Sequence, residues 1–144
     1  MKIVCRLAFV IIITLLAAGC ATSGPKFTEL SSSMANMPAD TGRIYIYRTT
    51  VLGAAIQPEV KLNGEVIGSA VPMGFFYIDK TPGDYELEAT TEVTRKLSLT
   101  LEQGQKRYVR LSISMGFFAG HVYPELVDDE VAQKEIQDCR YLGR

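Results

Sequence analysis

Side chains suited to catalysis or metal binding are scarce in this sequence. It has no tryptophan, a single histidine, His121, and three cysteines. A cysteine nucleophile needs a neighbouring base, so His121 and Cys139 are the pair that could form such a site. A structural zinc site needs about four cysteine or histidine ligands, more than His121, Cys20 and Cys139 supply. The sequence therefore predicts no metal site and no cofactor, and we expect Cys139 to be a small buried apolar residue.

An excess of positive charge is also missing. Without residues 1–19, which contain Lys2 and Arg6 and no acidic residue, the chain keeps 13 basic and 16 acidic residues, a formal charge of −3. Nucleic-acid binding depends on clustered Lys and Arg side chains that contact phosphates. This composition predicts no nucleic-acid partner.

Familiar catalytic motifs are absent as well. The sequence contains no GxGxxG, P-loop or GxSxG pattern. Glu86, Glu88 and Glu92 are close in sequence, but strand alternation places Glu86 and Glu88 on one solvated face, whereas glycosidase acid pairs usually come from separate elements around a cleft. We expect no enzyme activity. The alternative is a small membrane-associated hydrolase or transferase with an unrecognised site.

An apolar run near the start of the chain ends at a cysteine. Lys2 and Arg6 come before an uncharged stretch of 12 residues, 7–18, and Gly19 and Cys20 follow it. The stretch is shorter than the roughly 20 apolar residues that a membrane-spanning helix needs. Its basic flank and its small-residue exit are typical of a secretory signal peptide, which we assign to residues 1–19.

The sequence AAGC, with Leu16 before it, resembles the lipobox of bacterial lipoproteins. The resemblance implies cleavage between Gly19 and Cys20, a diacylglyceryl group on the Cys20 thiol, and often acylation of the freed amine, as with palmitate. Two or three acyl chains anchor a protein stably, because each buried methylene contributes about 0.8 kcal/mol. Ala21, in place of Asp, implies the outer membrane of a Gram-negative cell, or otherwise the outer face of the cytoplasmic membrane. A plain secreted protein or an uncleaved anchor is the alternative.

The remaining chain divides into a linker and a domain. Residues 20–42 begin with the lipidated Cys20 and are rich in Ser, Thr, Ala, Gly and Pro. Such a segment cannot bury enough surface to offset its ordering entropy, so we expect a flexible tether with one helical turn around 27–33. Residues 43–144 are expected to form one folded domain.

The domain sequence alternates between apolar and polar residues. RIYIYR, at 43–48, has large residues on both faces, which predicts a central strand. Asn63-Gly64 predicts a hairpin. Pro82-Gly83 predicts a type II turn, with positive φ at Gly83, between two paired strands. The later residues expected to face the core are Tyr85, Leu87, Ala89, Leu97, Leu99, Leu101, Val109, Leu111 and Ile113.

Short strands separated by turns, without helical crossovers, predict an all-β fold. We expect an antiparallel β-sandwich or partial barrel of about seven short strands. One short C-terminal helix is expected within 128–142, with acidic residues at its start and Ala132, Ile136 and Cys139 on its apolar face.

Four segments of the domain resemble one family. GRIYIYR, VKLNGEVIG, TPGDYELEA and LEQGQKRYVRL have the order and spacing found in small bacterial lipoproteins with the domain of unknown function 2846, over about 42–126. The resemblance implies a location and a fold. It provides no catalytic residue to transfer.

The sequence Met-Gly-Phe-Phe occurs twice, at 73–76 and 115–118. Neighbouring residues of a strand point to opposite faces of a sheet, so one ring of each pair must lie away from the main core. We predict that Phe75 or Phe76, together with Phe117 or Phe118, forms a partly exposed aromatic binding patch. The alternative is a second sheet face covered by the C-terminal segment.

These features predict a lipid-anchored lipoprotein of the cell envelope whose domain is a non-catalytic binding or accessory module. Its partners would be the membrane, through the N-terminal lipid, and an envelope protein or a glycan.

Overall fold

The computed structural model describes residues 22–115 and 120–143. The elements in chain order are α1 (Phe27–Leu30), β1 (Gly42–Arg48), β2 (Glu59–Leu62), β3 (Glu65–Ser69), β4 (Gly74–Lys80), β5 (Gly83–Thr90), β6 (Thr94–Leu101), β7 (Lys106–Met115), β8 (Gly120–Val127), α2 (Asp129–Glu135), a 3-10 turn (Ile136–Asp138) and β9 (Arg140–Tyr141). Five strands form one sheet, in the order β8-β7-β1-β4-β9, and four form the other, in the order β3-β2-β5-β6.

The two sheets form a β-sandwich with a short C-terminal helix, so the predicted fold class is confirmed. Two details differ from the expectation: the described residues form nine strands instead of about seven, and two of the strand pairs, β1 with β7 and β4 with β9, are parallel instead of antiparallel. A parallel pair needs a long crossover connection. Here the connection from β1 to β7 contains the whole four-stranded sheet as well as β4, so no helix is required.

Strand β1 is central, as the sequence predicted. Ile44 and Ile46 are fully buried between the sheets, where they join the larger apolar cluster of the sandwich. Tyr45 and Tyr47 point to the other face, which we call the outer face of the five-stranded sheet, and they are also buried, at 3% and 1% exposure. The outer face therefore has a second apolar cluster, and segments outside the two sheets pack over it.

The C-terminal segment provides part of that cover. Ala132, Ile136 and Cys139 are all 0% exposed and pack in the outer cluster. The predicted apolar face of the helix is thus confirmed, although α2 itself ends at Glu135 and the 3-10 turn continues it.

The two predicted turns have different outcomes. Asn63 and Gly64 have φ values of 49° and 82° and join β2 to β3 as a hairpin, which confirms the first prediction. At Pro82-Gly83 the predicted positive φ of Gly83 is present, but the predicted pairing of the flanking strands is wrong, because β4 and β5 lie in different sheets. The φ of Gly83 is 158°, near extended backbone rather than near the roughly +80° of a type II turn. A turn signal marks a change of direction and does not tell whether the flanking strands pair.

The segment expected to be a flexible tether is packed on the outer face. Its helical turn is present as α1, and Phe27, Leu30 and Met34 pack against the outer cluster. The backbone N–H of Phe27 donates to the carbonyl oxygen of Cys139 at 2.9 Å. The described part of residues 20–42 therefore extends the domain, and the predicted boundary at 43 is too late. Most residues of the segment are polar, but Phe27, Leu30 and Met34, at helical spacing, form one apolar side that packs on the sheet.

The ends of strand β1 mark the two ends of the sandwich. At the Arg48 end, β1 finishes opposite Gly74, where β4 begins. At the Gly42 end, β1 begins and Gly104 donates its N–H to the carbonyl oxygen of Thr41. No helix among the described residues has both the length and the apolar character to cross a membrane.

Candidate functional site

The predicted aromatic patch does not exist at Phe75 and Phe76. Phe76, 3% exposed, belongs to the cluster between the sheets, and a Cβ added to Gly68 would lie 2.6 Å from its ring. Phe75, 0% exposed, lies on the outer face, with its ring centroid 5.3 Å from that of Phe27. The alternative, an outer face covered by the C-terminal segment, is confirmed for this pair. Phe117 and Phe118 lie outside the described residues.

Cys139 is buried, as expected, and its environment does not favour a nucleophile. Its Sγ lies 3.6 Å from the carbonyl oxygen of Arg48, and burial raises the pKa of the thiol to about 12. A thiol with that pKa stays protonated near neutral pH and reacts slowly. His121 is on β8, which is two strands away from β1, or about 10 Å. Cys20 and Gly19 lie outside the described residues.

The outer face has a groove between the N-terminal segment and α2, which we call the α1–α2 groove. One part is a cavity of about 370 Å³, and it continues into a hollow of about 590 Å³ between the two helices. Phe27, Ser31 and Gln133 line both parts. The other residues that line the first part are Met34, Ala35, Asn36, Met37, Arg43, Tyr45, Lys106 and Tyr108.

Stacked tyrosines form the floor of the groove. The rings of Tyr45 and Tyr108 lie 4.8 Å apart and nearly parallel, and Phe27 meets Tyr45 edge to face. The Tyr45 hydroxyl donates to the sulfur of Met34 at 3.3 Å. Burial raises the pKa of both tyrosines above the usual value, and the nearby Asp129 carboxylate raises that of Tyr108 further. Both hydroxyls therefore remain protonated near neutral pH.

Two cations, Arg43 and Lys106, occupy neighbouring positions at one end of the groove. The Arg43 guanidinium donates to both oxygens of Asp79, at 2.6 and 2.8 Å, and lies 4.1 Å from the centroid of the Tyr77 ring. The hydrogen bond to Asp79 raises the pKa of Arg43. Lys106, paired with Arg43 across β1 and β7, is exposed and forms no ion pair with any described residue. Lys106 therefore gives this end of the groove a positive charge that no described carboxylate neutralises.

A polar network holds α2 in place as one wall of the groove. The carboxylate of Glu135 accepts hydrogen bonds from the Tyr47 hydroxyl at 2.7 Å and from Arg110 at 2.5 Å. Arg110 also donates to Glu125 at 2.8 Å. Burial, and then the bond to Glu135, raise the pKa of Tyr47. The network joins α2 to β1, β7 and β8, so the wall is fixed on the sheet.

The first part of the groove offers groups that can bind a ligand, and Asp129, Glu130 and Lys134 add charged groups in the hollow. Ser31, Asn36 and Gln133 supply hydroxyl and amide groups, the two methionines supply apolar surface, and Lys106 supplies charge. Within the described residues, no group of three or more His, Cys, Asp or Glu side chains could hold a metal ion. This arrangement can bind a polar ligand that has an anionic group, through hydrogen bonds, apolar contact and the Lys106 charge.

Sequence reasoning missed the walls of this groove. Tyr45 was expected on the second face of β1, but Phe27, Asn36 and Gln133 come from segments outside that strand, and Gln133 lies 88 positions after Tyr45. The available signal was Phe27 and Leu30, two apolar residues at helical spacing in an otherwise polar segment.

Comparison with known proteins gives a family without an assigned activity. Residues 38–122, more than half of the chain, match the family described as "Protein of unknown function (DUF2846)". The chain belongs to this family. An uncharacterised protein of Haemophilus influenzae is 26% identical over 133 residues, which are 90% of this chain and 79% of that protein. The DUF2846 match covers the tyrosine floor and Lys106, whereas α1 and α2, the two walls of the groove, lie outside it.

Proposed function

We propose that this protein is a lipid-anchored lipoprotein of the bacterial cell envelope and that its domain binds an envelope partner without catalysing a reaction. The observation that carries the anchor is Cys20. It follows Gly19 and an uncharged run of 12 residues that ends in the small residues Ala17 and Ala18. Lys2 and Arg6, before the run, provide the positive charge that is typical of a signal peptide. In a Gram-negative cell, Ala21 directs the protein to the outer membrane.

The binding role is supported by the α1–α2 groove. The first part of its lining combines amides, a hydroxyl and the exposed ammonium of Lys106, whereas Asp129, Glu130 and Lys134 line the hollow between the helices. Hydrogen bonds hold α2 on the sheet and α1 against Cys139. A preformed polar groove binds with little loss of conformational entropy. We propose an envelope protein or glycan that presents a carboxylate as the partner, with the carboxylate placed against Lys106.

The anchor is tested by Cys20→Ser. We expect loss of palmitate labelling and accumulation of the unprocessed precursor, because the hydroxyl does not replace the thiol as lipid acceptor. The measurement is metabolic labelling together with membrane fractionation. Cys139→Ser is the matched control, since it removes the other cysteine of the mature chain and should label normally. Unchanged labelling and fractionation of Cys20→Ser would overturn the lipoprotein assignment.

The groove is tested by Lys106→Glu in cells that carry a photocrosslinking residue at Asn36, which is exposed on the groove wall. Reversal of the charge should reduce the crosslinked product several-fold, because the carboxylate is then repelled. Lys61→Glu, on β2 in the other sheet, is the control and should leave the product unchanged. Equal yields from the two variants would count against the groove as the binding site.

A further inference from the structure

We infer that the Arg48 end of the sandwich contacts the phospholipid bilayer directly, through the exposed side chains of Val51 and Leu52. The inference rests on the proposed lipid anchor at Cys20. It adds an orientation and a second, protein-based contact with the lipid, which the anchor alone does not require.

The first observation is where the anchored chain joins the domain. Thr22, Ser23 and Gly24 line one hollow with Gln57 and Val71. Gln57 belongs to the connection between β1 and β2, and Val71 to the connection between β3 and β4. Both connections lie at the Arg48 end.

The N-terminal residues are fixed there and not loosely placed. The Gly24 carbonyl oxygen accepts a hydrogen bond from Arg140 at 2.9 Å, and that of Pro25 accepts one from the Tyr141 N–H at 2.9 Å. A Cβ added to Gly24 would overlap the carbonyl oxygen of Tyr141. The backbone of this segment therefore lies in direct contact with β9.

The anchor can reach only a short way from this point. Cys20 precedes Thr22 by two residues, and consecutive Cα atoms are about 3.8 Å apart, so their Cα atoms are separated by at most about 7.6 Å. Acyl chains on Cys20 thus hold the bilayer surface close to Thr22. The expected tether of 20–42, which would hold the domain away from the lipid, is not available, because its described residues pack on the sheet.

The second observation is the apolar surface at the same end. Val51 and Leu52 are 66% and 53% exposed, the highest values of any large apolar residues that the structure describes. They belong to the loop 49–58, in which every residue is uncharged. Bacterial lipid surfaces are anionic, and an uncharged apolar loop meets no charge repulsion there.

The loop is also rigid, so its apolar side chains are held outward. Arg48, 1% exposed, donates hydrogen bonds to carbonyl oxygens at five positions. These are Thr50, Leu52, Gly53, Ile56 and Ala70, at distances of 2.6 to 3.1 Å. These hydrogen bonds fix the backbone of the loop from the inside of the domain. Val51 and Leu52 therefore lose little conformational entropy when they enter the lipid interface.

The test places an environment-sensitive fluorophore on the lipidated, full-length mature protein. Leu52→Cys provides one accessible thiol, since Cys139 is buried and Cys20 is acylated in the proposal. Val66→Cys is the matched control, another exposed apolar site, in β3 near the Asn63-Gly64 turn at the Gly42 end. Both are reconstituted in vesicles of phosphatidylethanolamine and phosphatidylglycerol that contain lipids brominated on the acyl chains.

We expect the probe at position 52 to be quenched at least about threefold more than the probe at position 66, because apolar residues of interfacial segments lie about 5–10 Å below the lipid surface. Equal quenching at the two positions, with the N-terminal peptide shown by mass spectrometry to be acylated, would overturn the membrane contact and leave the anchor intact. An unacylated peptide would overturn both. A label at Val51→Cys repeats the test if the first variant fails to fold.

Discussion

Replacement of Arg48 by methionine will lower the free energy of unfolding by about 3–5 kcal/mol, because several buried or half-buried carbonyl oxygens lose their donor and each such loss costs roughly 1–3 kcal/mol when the group is fully buried. All five N–H donors of the guanidinium are used, each on a backbone carbonyl oxygen. Methionine fills a similar volume but removes the Arg48 donors from all five carbonyl oxygens, of which that of Gly53 still accepts from the Ile56 N–H. The measurement is urea denaturation of a soluble chain that begins at residue 22.

The controls for this prediction separate charge from geometry. Arg48→Lys keeps the charge but lacks the planar fork, so it should recover only a minor part of the lost stability. Arg95→Met removes an exposed arginine, whose guanidinium lies 5.0 Å from the Tyr123 ring centroid, and should cost at most about 1 kcal/mol. If Arg48→Met unfolds at the same urea concentration as Arg95→Met, the buried hydrogen bonds do not stabilise the loop.

Phe76→Ala should destabilise the same chain by about 3–5 kcal/mol, the usual cost of truncating a buried phenylalanine. The ring lies between the sheets at 3% exposure, and Gly68 leaves the space that it fills. An exposed aromatic patch would instead leave the melting temperature nearly unchanged after this substitution. The measurement is the thermal or urea unfolding curve.

A double-mutant cycle tests the contact between Phe76 and Gly68. Gly68→Ala should destabilise the protein on its own, because the new Cβ would lie 2.6 Å from the ring. The same change should cost less in a Phe76→Leu background, where the neighbouring side chain is smaller and can adjust. Additive effects of the two substitutions would show that the ring and the glycine are not in contact.

Local sequence patterns predicted the faces of the strands better than their partners. The alternation in RIYIYR predicted two buried faces, and Asn63-Gly64 predicted its hairpin, because both depend on residues that are adjacent in the chain. The parallel pairing of β1 with β7 joins residues such as Tyr45 and Tyr108, more than 60 positions apart. No local signal specifies such a pairing, and the same limit explains the error at Pro82-Gly83.

The candidate site was the least predictable part. The sequence correctly predicted that Phe75 and Phe76 lie on opposite faces of the sheet. It could not tell whether other segments pack over the face that contains Phe75. Phe27 and Tyr141 are among the residues that cover it. Phe27 was missed because residues 20–42 are mostly polar and were therefore predicted to be a flexible tether. The α1–α2 groove forms only when both segments are in place, so it could not be derived before the tertiary structure.

The contacts between residues 24–25 and 140–141 set an order on folding during synthesis. Arg140 and Gly24, which share a hydrogen bond, are separated by 116 positions, and Tyr141 closes onto Pro25 in the same region. A chain is synthesised from its N-terminus, so Gly24 and Pro25 lack these hydrogen-bond partners until residues 140–141 have been made. Phe27 can already pack against Tyr45 and Phe75 at an earlier stage, because both lie in strands that precede β5. The N-terminal segment can therefore dock in two steps, first through its aromatic ring and later through its backbone.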